Sequence, residues 1–337
     1  MPSALATPIV NPALGGVGAP PIPYLSVSQY TFAPTAMNTG SLVKGTPTQN
    51  TQALADTLAR ASAWANDICF GADPASKGAS LAASLSVEGA LVSVRGAQLR
   101  LVCDYKPILE VVGVEVGPAP GATTSISPAT ADAIVIGRRT ISIPYYTGPA
   151  FGRNATFTAG PIAGVFTGQL YATWSYVNGY PHTKLAAPVA AGATTCEVAA
   201  TDGNGGLWGV YPASGGFLGT QLTIFDGAAT ESVFVTGVTP NGATATLTTT
   251  AFANAHTSPP APDFLPVTGI PSDVQQAVIS LATCLIKTRG ARALVMPGLG
   301  GVPQPSQQAF AQAGALEDYS IAVGILRHYA IVAKSKN

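Results

Sequence analysis

His182, His256 and His328 are the side chains best suited to acid–base or metal chemistry near neutral pH. They lie far apart in the chain without metal-ligand spacing, a pattern of surface or packing residues. Asp226 and Glu231 flank one expected hairpin and come closest to the carboxylate pair that acid–base hydrolysis needs. Their positions also have a plain structural reading, which we adopt: Asp226 as a turn residue and Glu231 as an exposed charge at a strand end. Cys69, Cys103, Cys196 and Cys284 show no Cys-x-x-Cys spacing and read as small buried hydrophobes. The glycine clusters at 203–206 and 298–301 have no following Lys-Ser/Thr and read as loops rather than phosphate cradles. A phosphate loop, a His-Glu-x-x-His helix, a calcium loop and a Gly-x-Ser-x-Gly elbow are all missing from the sequence. These residues therefore predict no catalytic centre, no cofactor and no metal site.

Charge points elsewhere. The chain has 16 basic and 16 acidic residues among 337, whereas about a quarter of a typical soluble domain is charged. Depletion of Lys, Glu and Asp marks interface cores, and a net charge near zero favours association. The composition predicts an oligomer whose neutral polar surface is covered by protein neighbours. Without a basic stripe or tail, it argues against nucleic acid gripped by charge. No run of 18 apolar residues occurs, so no membrane span is expected. The opening residues, broken by Pro2, Pro8 and Pro12 and lacking a basic segment, read as an extended arm rather than a secretory signal. The Asn154-Ala155-Thr156 tripeptide is accordingly discounted as a glycosylation acceptor.

The elements that would carry these residues follow from periodicity. Leu54, Leu58, Ala61, Ala65 and Ile68 line one face of a helix over 48–69, with Asn50 or Thr51 as possible caps. Short β-type runs follow at 91–95, 99–102, 108–116, 133–136 and 141–145. In the clearest strand, 165–177, Phe166, Leu170, Ala172, Trp174 and Tyr176 share one parity. A second β block contains strands near 222–225, 232–238 and 244–250, joined at Asp226-Gly227 and Asn241-Gly242. After the Pro-rich linker 258–262, Val274, Ala277, Val278, Leu281, Ala282 and Leu285 predict a helix begun at Pro271-Ser272-Asp273. A last helix is expected over 315–334, with Ile321, Ile325, Tyr329 and Val332 as its apolar face and Glu317-Asp318 at its positive end. The expected fold class is α+β: a small helical bundle of the N- and C-terminal helices with inserted antiparallel β regions. The expected parts are an arm (1–23), a helical body (24–84 with 257–337), a β-rich region (85–182) and an inserted β domain (183–256).

Tyr24-Leu-Ser-Val-Ser-Gln-Tyr30 and the stretch 50–69, with its Arg60-Ala-Ser-Ala-Trp-Ala-Asn-Asp67 core, resemble the start of head-to-tail connector (adaptor) proteins of tailed bacteriophages. Ile270-Pro-Ser-Asp273 with its helix and following Arg289, and the closing Arg327-His-Tyr329, are similar to the later part of that family. These matches cover roughly a quarter of the chain, at its two helical ends. Residues 85–177 resemble the β portion of longer connectors, and 183–256, ending in Ala253-Asn-Ala-His256, looks like an added β domain. The resemblance implies a non-enzymatic virion protein: a homo-oligomeric ring of about twelve copies in the neck. Its partners would be the portal, the tail or tail terminator, and the major capsid protein, with DNA passing through the bore. Trp64, with Arg60 one turn before it, reads either as an interface anchor or equally as a partly buried core residue, and Arg289, Arg327 and Tyr329 are taken with them as oligomer or partner contacts. Another neck or tail component, or a carbohydrate-binding or hydrolytic β domain hinted at by Trp208-Gly-Val-Tyr211, stands as the alternative.

Overall fold

The computed structural model describes residues 22–40, 42, 45–70, 80–95, 98–125, 135–136, 139–144, 169–200, 217–288 and 314–330. The chain is α+β, richer in strands than in helices, and its sheets are antiparallel. It divides into two compact units. One holds the described residues of Leu85–Gly179, the other those of Gly16–Ser84 and Tyr180–Asn337.

In the first unit, strands β1 (Ser84–Arg95), β2 (Gln98–Val102), β3 (Ile108–Gly117), β4 (Thr124–Ser125), β5 (Val135–Ile136), β6 (Thr140–Pro144) and β7 (Gln169–Asn178) form a sheet ordered β4-β3-β7-β1-β2-β6-β5. Side-chain parity on β7 is as the alternation predicts: Leu170, Ala172, Trp174 and Tyr176 are buried. Leu99 and Leu101 of β2, Ile141 and Ile143 of β6, and Val114 and Val116 of β3 share one core with them. Residues from both wings of the sheet meet in that core, so the sheet must curl around it. Gly179, at φ +97°, supplies the turn after β7. Phe166 lies outside the described residues.

The second unit carries all the described helices and a six-stranded sheet. Its strands are β8 (His182–Lys184), β9 (Thr195–Ala199), β10 (Gln221–Ile224), β11 (Glu231–Asn241), β12 (Thr244–Thr249) and β13 (Pro266–Thr268), ordered β8-β13-β10-β11-β12-β9. The two edges meet. Leu185, just past β8, bridges Val198 of β9, and the Ala186 N–H donates to the Glu197 carbonyl at 2.9 Å. Closure of this kind removes the exposed edges that otherwise invite aggregation. Alternate residues point inward: Cys196, Val198, Leu222, Ile224, Val233, Val235, Ala245, Leu247 and Val267 are buried. The turn expected at Asn241-Gly242 falls one residue later: Asn241 pairs with Thr244 and the two-residue hairpin loop is Gly242-Ala243, with Gly242 at φ +74°. The expected Asp226-Gly227 turn is instead a longer loop built on a 3-10 turn, Gly227–Ala229.

Helix α1 (Val27–Phe32) is too short to show a period. It is held by a capping box between Ser26 and Gln29 and by Asp263, whose carboxylate accepts the Val27 and Ser28 N–H groups at 2.9 and 3.2 Å. Helix α2 (Pro47–Phe70) begins earlier than periodicity suggests, because Thr46 and Gln49 exchange capping hydrogen bonds around Pro47 at the first helical position. Asn50 and Thr51 are thus inside the helix rather than at its cap. Helices α3 (Ser272–Lys287) and α4 (Ala315–Leu326) follow. Tyr30, Leu54, Leu58, Ala61, Trp64, Ala65, Val278, Leu281, Ala322 and Leu326 belong to a single hydrophobic cluster drawn from all four helices.

The face expected for α4 holds only in part. Ile325 and Tyr329 pack half-buried against the core, but the fully buried positions are Ala315, Ala322 and Leu326, Ile321 is 46% exposed, and the chain leaves the helix in a turn at Arg327. Leu316, Ile321, Val323 and Ile325 leave little contrast between faces, so the small side chain of Ala322 is what lets α4 seat against α3. Lys287 of α3 and Asp318 of α4 form an ion pair at 2.7 Å across the same contact. Among the described residues no helix is long and apolar enough to cross a membrane.

Candidate functional site

Trp64 and Tyr319 make the contact between α2 and α4. Their rings stack with centroids 5.3 Å apart and planes 26° from parallel. Trp64 is only 7% exposed and its indole N–H has no hydrogen-bond partner among the described residues. Within the chain it is a core residue. Burial pushes the Tyr319 hydroxyl above its ordinary value. Arg60, one turn before Trp64, and Arg327, two turns beyond Tyr319, are both exposed. Trp64 is buried and Tyr319 half-buried, and Leu316 (47% exposed) and Ile321 add apolar surface on α4. Tyr329 lies elsewhere: its hydroxyl reaches both carboxylate oxygens of Asp273 at 2.7 and 2.8 Å, and its ring meets Tyr180 edge to face. It ties the chain after α4 to the start of α3. Arg289, Val332, Trp208, Tyr211 and both glycine clusters lie outside the described residues.

The polar centres are internal. His182 is fully buried. Its Nε2 faces the Pro23 carbonyl at 2.9 Å and must donate, so Nδ1 accepts from the Thr268 hydroxyl at 2.9 Å, which itself accepts the Ile270 N–H at 3.0 Å. The neutral ring satisfies every partner, and burial lowers its pKa to about 4. Tyr24 stands against it edge to face, donates to Asn66 Oδ1 at 2.6 Å, lies 2.7 Å from the Ser80 hydroxyl, which then donates to it, and accepts the Leu81 and Ala82 N–H groups. Burial pushes its hydroxyl up to about 12. In the first unit, Glu88 accepts from the Tyr176 hydroxyl and from the Asp104 N–H at 2.8 Å, and burial first, then the Glu88 charge, raise Tyr176. All four cysteines are buried and free, as expected, and burial holds the thiols of Cys69, Cys196 and Cys284 up at about 12.

The plain reading of Asp226 and Glu231 does not hold. His256 is fully buried between them, with Nδ1 3.1 Å from Asp226 Oδ2 and Nε2 2.8 Å from Glu231 Oε1. Glu231, whose side chain is 11% exposed, also accepts the Ala253 N–H at 2.7 Å and the Asn254 N–H at 2.8 Å. Burial alone would raise this carboxyl, but the two amides and His256 together outweigh it and hold it below the ordinary carboxylate range. The barrel order is what assembles the cluster: β11 starts and β12 ends at the same end of the sheet, so the segment after β12 folds over the β10–β11 loop. Sequence reasoning missed it because its members are 25 to 30 residues apart. Both ring nitrogens are occupied, which leaves none for an outside substrate. The carboxylates sit on opposite sides of the ring and do not converge on a shared cation position, and no group of His, Cys, Asp or Glu among the described residues is arranged to hold a metal. His328 is exposed.

Comparison with family models, curated proteins and solved structures finds no match to this chain.

Proposed function

We propose that this chain is a structural subunit of a tailed-phage virion, a head-to-tail connector that forms a ring in the neck between portal and tail. Helices α1 to α4 are the small helical bundle of the ring body, and DNA passes through the bore without base-specific contact. The observation that carries this reading is the single core shared by helices from the two ends of the chain, the same segments that resemble the connector family. The scarcity of charge supports it, since a ring subunit has two heterologous lateral faces and two axial ones to cover. Arg60, Arg327, Leu316 and Ile321 supply an exposed mixed surface of the kind that lateral packing uses.

Electron microscopy and mass photometry of the full chain, alone and mixed with a tailed-phage portal protein, test the proposal. Closed rings of about twelve copies, alone or on the portal, are expected. Leu316→Ser with Ile321→Ser should leave the circular dichroism spectrum and melting unchanged while weakening the ring. A strict monomer with no affinity for the portal overturns the reading.

A further inference from the structure

The Asp226–His256–Glu231 cluster closes one end of the barrel in a particular way. Two segments meet there: the β10–β11 loop, residues 225–230, and the strap after β12, residues 252–256. The strap is anchored to Glu231 by the Ala253 and Asn254 amides, and its far end pairs with Val189 through two backbone hydrogen bonds of 2.9 and 2.8 Å. The loop is tied by Asp226 to His256 Nδ1 and, more weakly, by the Ala229 carbonyl accepting from Asn254 Nδ2 at 3.3 Å. Its 3-10 turn also packs against α1.

Each nitrogen of His256 faces a carboxylate oxygen, and a carboxylate can only accept. A doubly protonated imidazole satisfies both bonds. A neutral ring has one donor and one acceptor, so one carboxylate must then face a lone pair. The two sides are not equivalent. Glu231 is closer to the ring, is 11% exposed and is held by two amides besides. Asp226 is 0.3 Å farther away and 35% exposed, so water can solvate it on release. The neutral ring therefore keeps its proton on Nε2, toward Glu231.

We propose that Asp226, His256 and Glu231 form an ordered proton latch: the doubly protonated ring locks loop 225–230 onto the strap, and loss of the Nδ1 proton frees the loop while the strap stays in place. The ionisable groups facing His256 are Asp226 on the loop and Glu231 on β11; Phe252, the aromatic neighbour on the strap, carries no charge. From α1 the only titratable side chain is Tyr30, which bonds Thr283, and Asp263 caps the N-terminus of that helix. The latch thus couples protonation to the freedom of a loop that touches α1, the helix that carries Phe32, the most exposed large apolar side chain among the described residues at 81%.

Hydrogen exchange read by mass spectrometry, corrected for the intrinsic rate, tests this on the full chain. The ring's charge is followed in parallel by the His256 Cε1–H shift, assigned with His256→Gln. As the ring becomes neutral, protection of 225–230, where Ala229 and Thr230 donate within the turn, should fall about tenfold or more, the scale of a lost charged hydrogen bond. Protection of 252–256 should hold. In Asp226→Ala, loop 225–230 should be open and indifferent to the ring's charge, whereas Glu231→Gln should loosen the strap. Wild-type protection that ignores the ring's charge overturns the latch, and so does loosening of both segments together. The wild-type arm decides the matter even if a variant does not fold.

Discussion

Replacing Trp64 separates the contribution of its ring from that of its N–H. The indole is 7% exposed, stacks on Tyr319 at 5.3 Å and leaves its N–H without a partner. Truncation to Ala removes the ring and opens a cavity in the cluster shared by the helices, at a cost of about 3–5 kcal/mol. Trp64→Phe keeps an aromatic face toward Tyr319 and loses some buried carbon, but it also deletes a desolvated donor that costs about 1–3 kcal/mol when unpaired. The two effects oppose each other, so Trp64→Phe should change stability by less than about 1 kcal/mol. A double-mutant cycle with Tyr319→Ala should return a coupling of about 0.5–1.5 kcal/mol for the stack. Urea titration followed in the helical band of the far-ultraviolet circular dichroism spectrum is the assay, because the described helices all lie in one unit. If Trp64→Phe costs as much as Trp64→Ala, the N–H is bonded in the folded protein and the reasoning fails. A coupling near zero would dismiss the stack as a source of stability.

Two further perturbations bear on the buried polar centres. His182 is held neutral, with its pKa lowered from 6.5 to about 4, so between those values the unfolded chain binds more protons than the folded one. Stability should therefore be full above pH 6.5 and fall by about 3 kcal/mol as the pH drops to 4, and His182→Gln should flatten that part of a urea-midpoint profile. A profile of unchanged slope in the variant would assign the acid loss to other groups. Asp263→Ala strips the acceptor from the Val27 and Ser28 amides and should cost about 1–2 kcal/mol, with Asp263→Asn losing part of that. Unchanged exchange of those two amides in Asp263→Ala would show that the cap is dispensable.

Most of the fold was legible where one face of an element is buried and the other is not. Helix α2 and strand β7 show contrasting faces, and the described residues their periods single out are buried, apart from Ile68, which packs half-buried against the core. The method fails where contrast or length is missing. From Ile321 to Leu326 every position of α4 is apolar or glycine, so the period cannot choose between Ile321 and Ala322, and the smaller side chain is the buried one. In α1 six residues make fewer than two turns, and only the Ser26-x-x-Gln29 spacing signals it. Trp64, open in the sequence between an interface and the core, is buried, and the ring that covers it, Tyr319, comes from α4, whose face the period fixes only in part.

The acidic cluster was misread for a different reason. A local rule makes Asp before Gly a turn residue and a Glu at a strand end a solvated charge, and in an ordinary chain with many carboxylates that rule serves well. Here acidic side chains are few, and several of the described ones are committed to partners within the chain. Glu231 holds the strap, Asp263 caps α1, Asp273 receives Tyr329, Asp318 pairs with Lys287, and Glu88 binds Tyr176 and the Asp104 amide. On the proposed function, a chain with so little charge would meet its neighbours through shape and apolar contact, with little long-range electrostatic steering. In such a sequence two acidic residues five apart on one hairpin are better taken first as a structural clasp in search of its donor, and His256 is that donor.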